Sequence, residues 1–387
     1  MATTYDPANA LAPTPPMGWN SYNAFGGMHG LPADADPSLP GGVALCENMI
    51  LATADALVAT GMRDAGYVYL NLDDRWQDPR QPRDPVGRLR CDERRFPHGI
   101  GWLTEQVHAR GLRFGIYTVA NCLACGGEEG DGPGGIPRTG SLGHETIDAE
   151  LFAEWGVDFL KIDWCGVDEA GNHGRAAEVF STWNEAIQRT GRPIVLSAST
   201  WGQEHEETWA PRLAHMWRTT DDLHPTWESI RQVSLLNSAE CWRSICGPAT
   251  GWNDPDMMHV GHPGLTYDES RTHLLLWAMM SAPLIAGNDL RTMSDSIRAL
   301  LVSPEVIAID QDSSPPATVT VSDDDWDVWE RGLTDGRVAT VIVNSSDYSR
   351  PIPDRLRSGQ EDALNGSDDT TWIPPHGAWL CIAQHDG

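Results

Sequence analysis

Short apolar runs recur along most of the chain and alternate with longer segments. Their length and their content of Val, Ile, Leu and aromatic residues are typical of buried strands. The seventh run comes just before a polar segment, Gly251–Asp256, that is predicted to be a loop. Strands are predicted at Met17–Asn20, Tyr67–Asp73, Arg113–Tyr117, Phe159–Asp163, Ile194–Ser197, His215–Arg218, near Ser244–Gly247, and at Pro283–Ala286.

Longer segments with a helical pattern separate these strands, among them Glu47–Thr60, Gly101–Arg110 and Thr146–Trp155. A glycine that could end the helix follows each of them, at positions 61, 111 and 156. Strands that alternate with helices favour a parallel sheet covered by helices. Eight such units predict an α/β fold, a (β/α)8 TIM barrel over residues 1–312.

The pattern changes after the Pro-rich stretch at 311–316. From there, short β-rich runs alternate with turns. We expect a small C-terminal antiparallel β-sandwich domain over residues 317–387. Its strands are predicted at Thr318–Val321, Trp326–Trp329, Val338–Val343 and Ala378–Ile382.

Acidic residues outnumber basic ones by 55 to 27, which gives a formal charge of −28. A field of this sign repels nucleic acid and anionic membranes, so we expect neither as a partner. The longest apolar run, Leu274–Gly287, is too short to cross a bilayer and contains Pro283. The first residues show no signal peptide, so we expect a cytoplasmic protein, or a secreted one if the N-terminus has been trimmed.

Eight cysteines in 387 residues do not make a disulfide scaffold. Cys122 and Cys125 have the CxxC spacing of redox and zinc sites. The sequence has no second CxxC to complete a zinc site, so a metal at this position is not favoured.

Of the 27 basic residues, one is a lysine, Lys161, and the others are arginines. Lys161 lies in the predicted strand Phe159–Asp163. Residues two apart on a strand face the same side, so the Lys161 ammonium and the Asp163 carboxylate are expected to share one space. Taken alone, this pair is either a structural ion pair or part of a functional site.

Acidic residues also stand at the C-terminal ends of several predicted strands, where a TIM barrel carries its reactive groups. Each by itself could be a helix cap or a turn residue. Gathered at one rim, they would repel one another unless a ligand, a metal or a cation offsets their charge. They are Asp73, Asp74, Asp163, Asp221, Asp222, Asp254 and Asp256.

Two chemistries fit an acid-rich barrel rim. In a metal-dependent barrel lyase or hydrolase, carboxylates would hold Mg²⁺ and Lys161 would be the base. In glycoside hydrolysis, one carboxylate is the nucleophile and a second is the acid/base. Indole rings near the strand ends could stack on a sugar or pack in the core, and their position beside the acids favours the sugar. They are Trp19, Trp76, Trp164, Trp201 and Trp252.

Seven motifs carry a resemblance to a known family, and they occur in order along the chain. From about Pro13 to Asp312, the chain resembles glycoside hydrolase family 27, the retaining α-galactosidases and α-N-acetylgalactosaminidases of clan D. The C-terminal region matches that family only in its position and β character. The motifs are Thr14–Ser21, Asn71–Trp76, Gly115–Tyr117, Trp155–Asp163, Trp217–Asp222, Trp252–Met257 and Ile307–Asp312.

The resemblance implies a role for each matching residue. Asp163 would be the nucleophile and Asp222 the acid/base. The resemblance also implies a disulfide between Cys125 and Cys165 and no cofactor or metal. The substrate would be an α-linked galactoside oligosaccharide or glycoconjugate, bound by Trp19, Tyr22, Asp73, Asp74, Tyr117, Lys161, Thr200, Trp201, Arg218, Asp256 and Met257.

The chemistry of the side chains agrees with these roles. Asp163 has to be ionised to attack the anomeric carbon, and Lys161 and Arg218 nearby would favour the anion. Asp222 has to carry a proton to assist the leaving group.

The sequence departs from the family at several positions. Tyr22 replaces the usual Trp of the aromatic wall, and Asp221 replaces a small residue before the acid/base. Thr200 stands where α-galactosidases have a Glu that binds the 2-hydroxyl. Arg75 and Ser199 replace the cysteines of a second disulfide. The altered position 200 leaves the preferred substituent at the 2-position of the sugar open.

We therefore expect a retaining exo-α-galactosidase. Within the same mechanism, the alternatives are an α-N-acetylgalactosaminidase and an isomaltodextranase-like enzyme. From other classes, the alternatives are the metal-dependent barrel enzyme and a non-catalytic sugar-binding protein. The presence of both Asp163 and Asp222 argues against the last of these.

Overall fold

The computed structural model describes residues 11–25, 45–122, 124–125, 139–353, 363 and 372–384. The first eight strands in this part of the chain are β1 Met17–Asn20, β2 Tyr69–Leu72, β3 Arg113–Val119, β4 Phe159–Asp163, β5 Val195–Ser199, β6 Met216–Arg218, β7 Trp252–Asp254 and β8 Leu284–Ala286. They form one parallel sheet in the order β7-β6-β5-β4-β3-β2-β1-β8.

The two ends of this sheet meet through Met258, a short distance beyond β7. Met258 forms a parallel bridge with Ala286 of β8. Its N–H donates to the Ile285 carbonyl at 2.7 Å, and its carbonyl accepts from Gly287 N–H at 2.9 Å. These bonds close the sheet into a barrel, and the predicted (β/α)8 fold is confirmed.

Helices cover the outside of the barrel, and no helix in the described ranges is long and apolar enough to span a membrane. Three of them end before the predicted glycines Gly61, Gly111 and Gly156, whose φ angles of 82°, 73° and 81° are left-handed. The helices are α1 Ser21–Phe25, α2 Glu47–Ala59, α3 Met62–Ala65, α4 Gly99–His108, α5 Glu145–Glu154, α6 Val167–Ala170, α7 Ala176–Thr190, α8 Glu206–Leu213, α9 Trp227–Asn237, α10 Glu240–Arg243, α11 Tyr267–Met279, α12 Asp295–Leu301 and α13 Pro304–Asp310.

The prediction of the seventh strand was wrong. Residues 244–247 follow α10 without forming a strand, and β7 lies in the segment that was predicted to be a loop. The Gly, Asn, Asp and Pro content of that segment is typical of a turn. Its strand conformation comes from its parallel neighbour, because Met216, Trp217 and Arg218 of β6 pair with it residue by residue.

The C-terminal strands are β9 Thr318–Ser322, β10 Trp326–Gly332, β11 Arg337–Asn344, β12 Arg350–Pro351, β13 Trp372–Ile373 and β14 Ala378–Gln384. Four of them form an antiparallel sheet in the order β14-β11-β10-β9, and β12 and β13 form a second small sheet. A core cluster that includes Trp326, Ile342 and Ile373 draws on both sheets. The predicted C-terminal β domain is confirmed.

The other face of the four-stranded sheet packs against the barrel. Alternate residues of β11, including Val341 and Val343, join the core cluster that also contains the barrel helices. The fully buried Arg331 of β10 donates to the carbonyls of Ala278 at 2.8 Å and Ile309 at 2.7 Å. Backbone acceptors therefore satisfy a buried guanidinium where the two parts of the molecule meet.

Candidate active site

The alternation along each strand decides which side chains enter the barrel. On β4, Leu160 and Ile162 face outward into the core between sheet and helices. Phe159 belongs to a second cluster inside the barrel. Lys161 and Asp163 follow Phe159 at steps of two, so they lie above it on the inner face, as the sequence predicted.

The inner cluster forms a hydrophobic floor at the start of the strands. Above this floor, the same two-residue step leads to polar groups on the other strands. For example, Asp73 follows Tyr69, and Arg218 follows Met216. The floor residues are Ala12, Tyr69, Phe159, Val195, Met216, Cys246 and Trp252. Charged groups are therefore collected at the C-terminal end of the barrel, as in other TIM barrels.

An open cavity of about 500 Å³ lies at this end. Eleven of the sequence-predicted site residues line it: Tyr22, Asp73, Asp74, Tyr117, Lys161, Asp163, Trp201, Arg218, Asp222, Asp256 and Met257. The disulfide partners Cys125 and Cys165 line it as well. The structure therefore brings most of the predicted site together from eight separate motifs and loops.

Lys161 lies between two carboxylates on the cavity wall. Its Nζ is 3.0 Å from Asp73 Oδ2 and 3.9 Å from Asp163 Oδ2. The Asp73 oxygen also accepts from Asn20 Nδ2 at 2.6 Å. Burial by itself would lower the pKa of Lys161, but Asp73 and Asp163 outweigh it and the pKa is raised. Lys161 is therefore a fixed cation and not a base.

Asp163 is buried, with only 7% of its side chain exposed. Its Oδ1 accepts from Trp164 N–H at 2.9 Å. Burial raises its pKa from 3.8 to about 6, although Lys161 and the Trp164 hydrogen bond oppose this shift. Lys161 and Arg218 do favour the anion, as the sequence predicts. Desolvation is the larger effect here, because little water reaches the carboxylate.

Asp222 occupies a different environment on the same cavity, since 52% of its side chain is exposed. Its Oδ1 is 3.1 Å from Arg218 Nη2. Arg218 also reaches Asp256 Oδ1, at 3.2 Å from Nη1. Burial opposes the charge of Arg218, but Asp256 and Asp222 raise its pKa. The two carboxylates, Asp163 and Asp222, thus differ in exposure and each lies beside its own cation.

Asp256 has a strained backbone, with φ at 102°, a conformation that non-glycine residues seldom adopt. Its carboxylate accepts from Met257 N–H at 2.7 Å and from Leu223 N–H at 2.9 Å. Its carbonyl accepts from Trp277 Nε1 at 3.0 Å. These bonds hold the residue in its unusual conformation and link the loop after β7 to the loop after β6.

The disulfide implied by the family resemblance is present. Cys125 and Cys165 are bonded, with their Cα atoms 5.3 Å apart. Cys125 Sγ lies 3.6 Å from Asp163 Oδ2. Cys122, the other half of the CxxC spacing, is a free and buried thiol.

Among the described residues, one group of His, Cys and carboxylate atoms is close enough together to share an ion, and it consists of Cys125, Asp163 and Cys165. Its two sulfur atoms are bonded to each other. Both cysteines line the cavity, and their disulfide forms part of its wall beside Asp163.

Trp19 and Thr200 are not on the cavity wall. Trp19 is fully buried, donates its Nε1–H to the Asn288 carbonyl at 2.8 Å and packs against Phe25 at 5.5 Å. It alternates with the inward-facing Gly18 and Asn20 and so points toward the helices. The predicted sugar contact of Trp19 is therefore wrong. The same alternation, applied to β1 in the sequence, would have revealed this.

Four of the five tryptophans considered for sugar stacking pack in the core. Trp19, Trp76, Trp164 and Trp252 are each at most 1% exposed. Trp201 is the one that lines the cavity. It has a φ of 57° and precedes Gly202, whose φ is 75°. A Cβ on Gly202 would lie 2.2 Å from the Thr219 carbonyl oxygen, so the turn that presents Trp201 requires glycine.

Thr200, which precedes Trp201 in the chain, is fully buried. Its hydroxyl donates to Glu206 Oε1, which also accepts from Gly202 N–H at 2.8 Å. Burial raises the pKa of Glu206. Thr200 thus contacts a neighbouring carboxylate and not the cavity, and the direct sugar contact predicted for it is also wrong. Glu206 was not identified from the sequence.

Four lining residues were not predicted: Asn23, Gln203, Leu223 and His224. Asp221 also lines the cavity, and its Oδ1 accepts from Gln203 Nε2 at 3.0 Å. The four unpredicted residues follow predicted site residues by one or two positions. Their proximity in sequence to Tyr22, Trp201 and Asp222 was the available signal.

Carboxylates line the C-terminal cavity of this TIM barrel, among them the buried Asp163 beside Lys161 and the half-exposed Asp222 beside Arg218. This is the architecture of a glycoside hydrolase. A family model described as alpha galactosidase A matches residues 14–312, and the chain belongs to this family. The resemblance noted in the sequence is confirmed. The chain is accordingly an enzyme of the glycoside hydrolase class.

Known relatives agree with this membership. An alpha-galactosidase A from Cellvibrio japonicus (strain Ueda107) is 39% identical over 347 residues, covering 87% of this chain and 77% of that protein. The structure of alpha-galactosidase I from Mortierella vinacea matches with a TM-score of 0.81 at 27% identity, over 97% of this chain and 98% of that one. An α-galactosidase from Saccharomyces cerevisiae, solved with raffinose, matches with a TM-score of 0.80 at 25% identity, over 98% of this chain and 99% of that one.

Proposed function

We propose that this protein is a retaining exo-α-galactosidase that removes terminal α-D-galactosyl residues from oligosaccharides or glycoconjugates. The observation that carries the proposal is the pair of carboxylates on one cavity. Asp163 is buried beside Lys161, and Asp222 is half exposed beside Arg218. A buried anion suits attack on carbon, and an exposed group suits proton exchange with a leaving group and water.

In the first step, an Asp163 oxygen attacks the anomeric carbon. The bond from that carbon to the glycosidic oxygen breaks, and Asp222 gives its proton to the departing oxygen. The products are a β-linked galactosyl–Asp163 ester and the free aglycone. Lys161 and Arg218 remain charged throughout, since neighbouring carboxylates raise the pKa of each.

In the second step, water replaces the aglycone. Asp222, now ionised, takes a proton from the water, whose oxygen attacks the anomeric carbon. The ester bond to Asp163 breaks, and galactose leaves with the α configuration it had in the substrate. Two inversions give net retention.

The remaining lining residues would hold the sugar. In this proposal, Asp73 and Asp74 bind the 6- and 4-hydroxyls, and Lys161 donates to the 3- and 4-hydroxyls. Arg218 lies near the 2-hydroxyl, and Tyr22 forms the apolar wall. Burial, followed by the charges of Asp73 and Asp74, raises the pKa of Tyr22 to about 12, so its phenol is a neutral donor.

An α-N-acetylgalactosaminidase is the second candidate, and one observation favours it. The hydroxyl of Thr200 is turned to Glu206 and not to the cavity. The carboxylate with which an α-galactosidase binds a 2-hydroxyl therefore has no counterpart at position 200. Gln203 lines the cavity nearby and could donate to either a 2-hydroxyl or an acetamido carbonyl.

A panel of nitrophenyl glycosides tests the proposal. We expect the highest kcat/KM with the α-galactoside, with and without chelator, and NMR of the early product should show α-galactose first. Faster cleavage of the α-N-acetylgalactosaminide would establish the second candidate. Early release of the β-anomer would refute retention, and loss of activity in chelator would favour a metal-dependent reaction.

A further inference from the structure

The residue after Asp222 is held at both of its backbone polar groups. Leu223 N–H donates to Asp256 Oδ2 at 2.9 Å, and the Leu223 carbonyl is 2.9 Å from His259 Nε2. Asp256 and His259 both lie in the loop between β7 and α11. One loop therefore forms hydrogen bonds with both peptide groups that flank the Cα of Leu223.

These two hydrogen bonds constrain a segment that has no regular secondary structure. Residues 219–226 form a loop between β6, which ends at Arg218, and α9, which begins at Trp227. The Asp222 side chain is half exposed, so core packing does not fix its position. Its carboxylate accepts a hydrogen bond from Arg218 Nη2 at 3.1 Å. The backbone hydrogen bonds of Leu223 supply a second constraint on the position of Asp222.

His259 is itself firmly placed. It is 1% exposed, and its backbone N–H donates to His273 Nε2 at 3.0 Å. A carbonyl can only accept, so His259 Nε2 carries a proton and donates it to Leu223. The other ring nitrogen, Nδ1, lies 3.5 Å from Nδ2 of Asn23, a residue of the cavity wall.

We propose that His259 is a positioning residue for the general acid: its Nε2–H bond to the Leu223 carbonyl holds Asp222 at the distance from the glycosidic oxygen that proton transfer requires. This inference rests on the proposed role of Asp222. His259 does not touch the substrate. It acts through one peptide unit, and a shift of about 1 Å at such a site can cost on the order of 10²-fold in rate.

The effect of His259 should depend on the leaving group. The dinitrophenolate of a 2,4-dinitrophenyl α-galactoside departs without protonation. The methoxy group of a methyl α-galactoside has to be protonated by the acid before it can depart. A misplaced Asp222 therefore slows the methyl substrate and spares the dinitrophenyl one. A merely structural residue would change both rates by the same factor. The ratio of the two kcat/KM values also does not depend on the fraction of folded enzyme.

The experiment measures this ratio in four variants. His259→Phe removes the donor while retaining a ring, and kcat/KM should fall about 10- to 100-fold for the methyl substrate but less than about 3-fold for the dinitrophenyl one. His259→Gln retains an N–H donor and should stay within about 3-fold of the wild type on both. His262→Phe is the matched control, because it makes the same substitution at a ring that packs edge-on against His259 at 5.6 Å. This variant should leave the ratio unchanged.

Asp222→Ala separates this inference from the proposed function. A large difference between the substrates in Asp222→Ala, together with none in His259→Phe, would overturn the positioning role and leave the general acid in place. Equal behaviour of the Gln and Phe variants at His259 would also overturn it. If Asp222→Ala itself affects both substrates equally, the assignment of the acid fails and the positioning role fails with it.

Discussion

The Lys161 ammonium lies 3.0 Å from Asp73 Oδ2 and faces the tyrosine ring of Tyr117 at 5.4 Å. The close partner of the single lysine is thus the carboxylate proposed to bind the sugar. The proposed nucleophile, Asp163, is the more distant one at 3.9 Å. Lys161 can stabilise both anions while leaving the Asp163 oxygen unobstructed for attack.

Replacement of Lys161 by methionine should leave two buried carboxylates without their shared cation. We expect kcat/KM to fall at least about 10²-fold, since preorganised charge contributes at this level. The pH at which activity appears should also rise, because Lys161 opposes the raised pKa of Asp163. A pH–rate profile measures both effects. Arg189→Met, an equal loss of charge at an exposed site on α7, should change neither.

Replacement of Asp163 by alanine should remove nearly all turnover while the fold persists. Azide can enter the space of the lost carboxylate and attack the anomeric carbon of an activated α-galactoside. The expected product is β-galactosyl azide, detected by NMR, with partial recovery of rate. If the variant keeps a tenth of the wild-type activity without azide, Asp163 is not the nucleophile.

Asp221 and Asp222 are adjacent, and the structure gives them different partners. Asp221 pairs with Gln203, and Asp222 pairs with Arg218. Asp222→Asn should lower kcat/KM for unactivated galactosides by about 10²- to 10⁴-fold, the usual contribution of a general acid. Asp221→Asn should have a several-fold effect at most. The reverse order would identify Asp221 as the acid. With bound sugar, the Asp163 and Asp222 carboxyls should lie about 5–5.5 Å apart, as expected for a retaining enzyme.

The raised pKa of Asp163, about 6, predicts the acid limb of the pH profile. Attack requires the anion, so kcat/KM should rise with pH and level off above about 6. The same shift affects stability. Because the folded state holds this proton more tightly than the unfolded state, folding is favoured at low pH, and that stability is lost as pH rises from about 4 through 6.

Asp163→Asn should therefore raise the melting temperature at pH 7. The gain corresponds to roughly 1–3 kcal/mol, from the size of the shift in pKa, and it should disappear near pH 4. Thermal unfolding at the two pH values measures it. A stabilisation that is equal at both would mean that ionisation of Asp163 is not its cause.

Thr200→Glu would restore the residue that α-galactosidases carry at this position. The structure predicts that this change is destabilising, because Thr200 is fully buried against the Glu206 carboxylate. Two carboxylates there would repel, and the lost hydrogen bond adds a cost of about 1–3 kcal/mol. The double change Thr200→Glu with Glu206→Gln should recover most of the stability. Equal melting temperatures for the single and double variants would contradict this.

Much of the architecture followed from local patterns. The runs at Phe159–Asp163 and Met17–Asn20 are strands with the predicted bounds, and the glycines at 61, 111 and 156 do end helices. Alternation along β4 correctly put Lys161 and Asp163 on one side. The ordered motifs identified the family and most of the lining residues, because six of the seven motifs lie on strands of the barrel.

The tertiary structure decided what depends on contacts between distant segments. Trp252–Asp254 has the composition of a turn, and it is a strand because β6 lies beside it. Thr200 does not reach the cavity, and its hydroxyl donates to Glu206, a residue with no motif of its own. The hydrogen bonds of Leu223 with Asp256 and His259 join two separate loops, and local periodicity does not predict such contacts.

The sequence by itself determined the order of strands and helices, the face on which each side chain of a strand lies, and the chemical groups at the strand ends. Those properties depend on backbone geometry and on neighbours within a few residues. The tertiary structure decided how deeply each carboxylate is buried, and therefore that desolvation outweighs Lys161 in setting the pKa of Asp163. Burial and electrostatic coupling are sums over atoms from many segments, and only the closed barrel brings those atoms together.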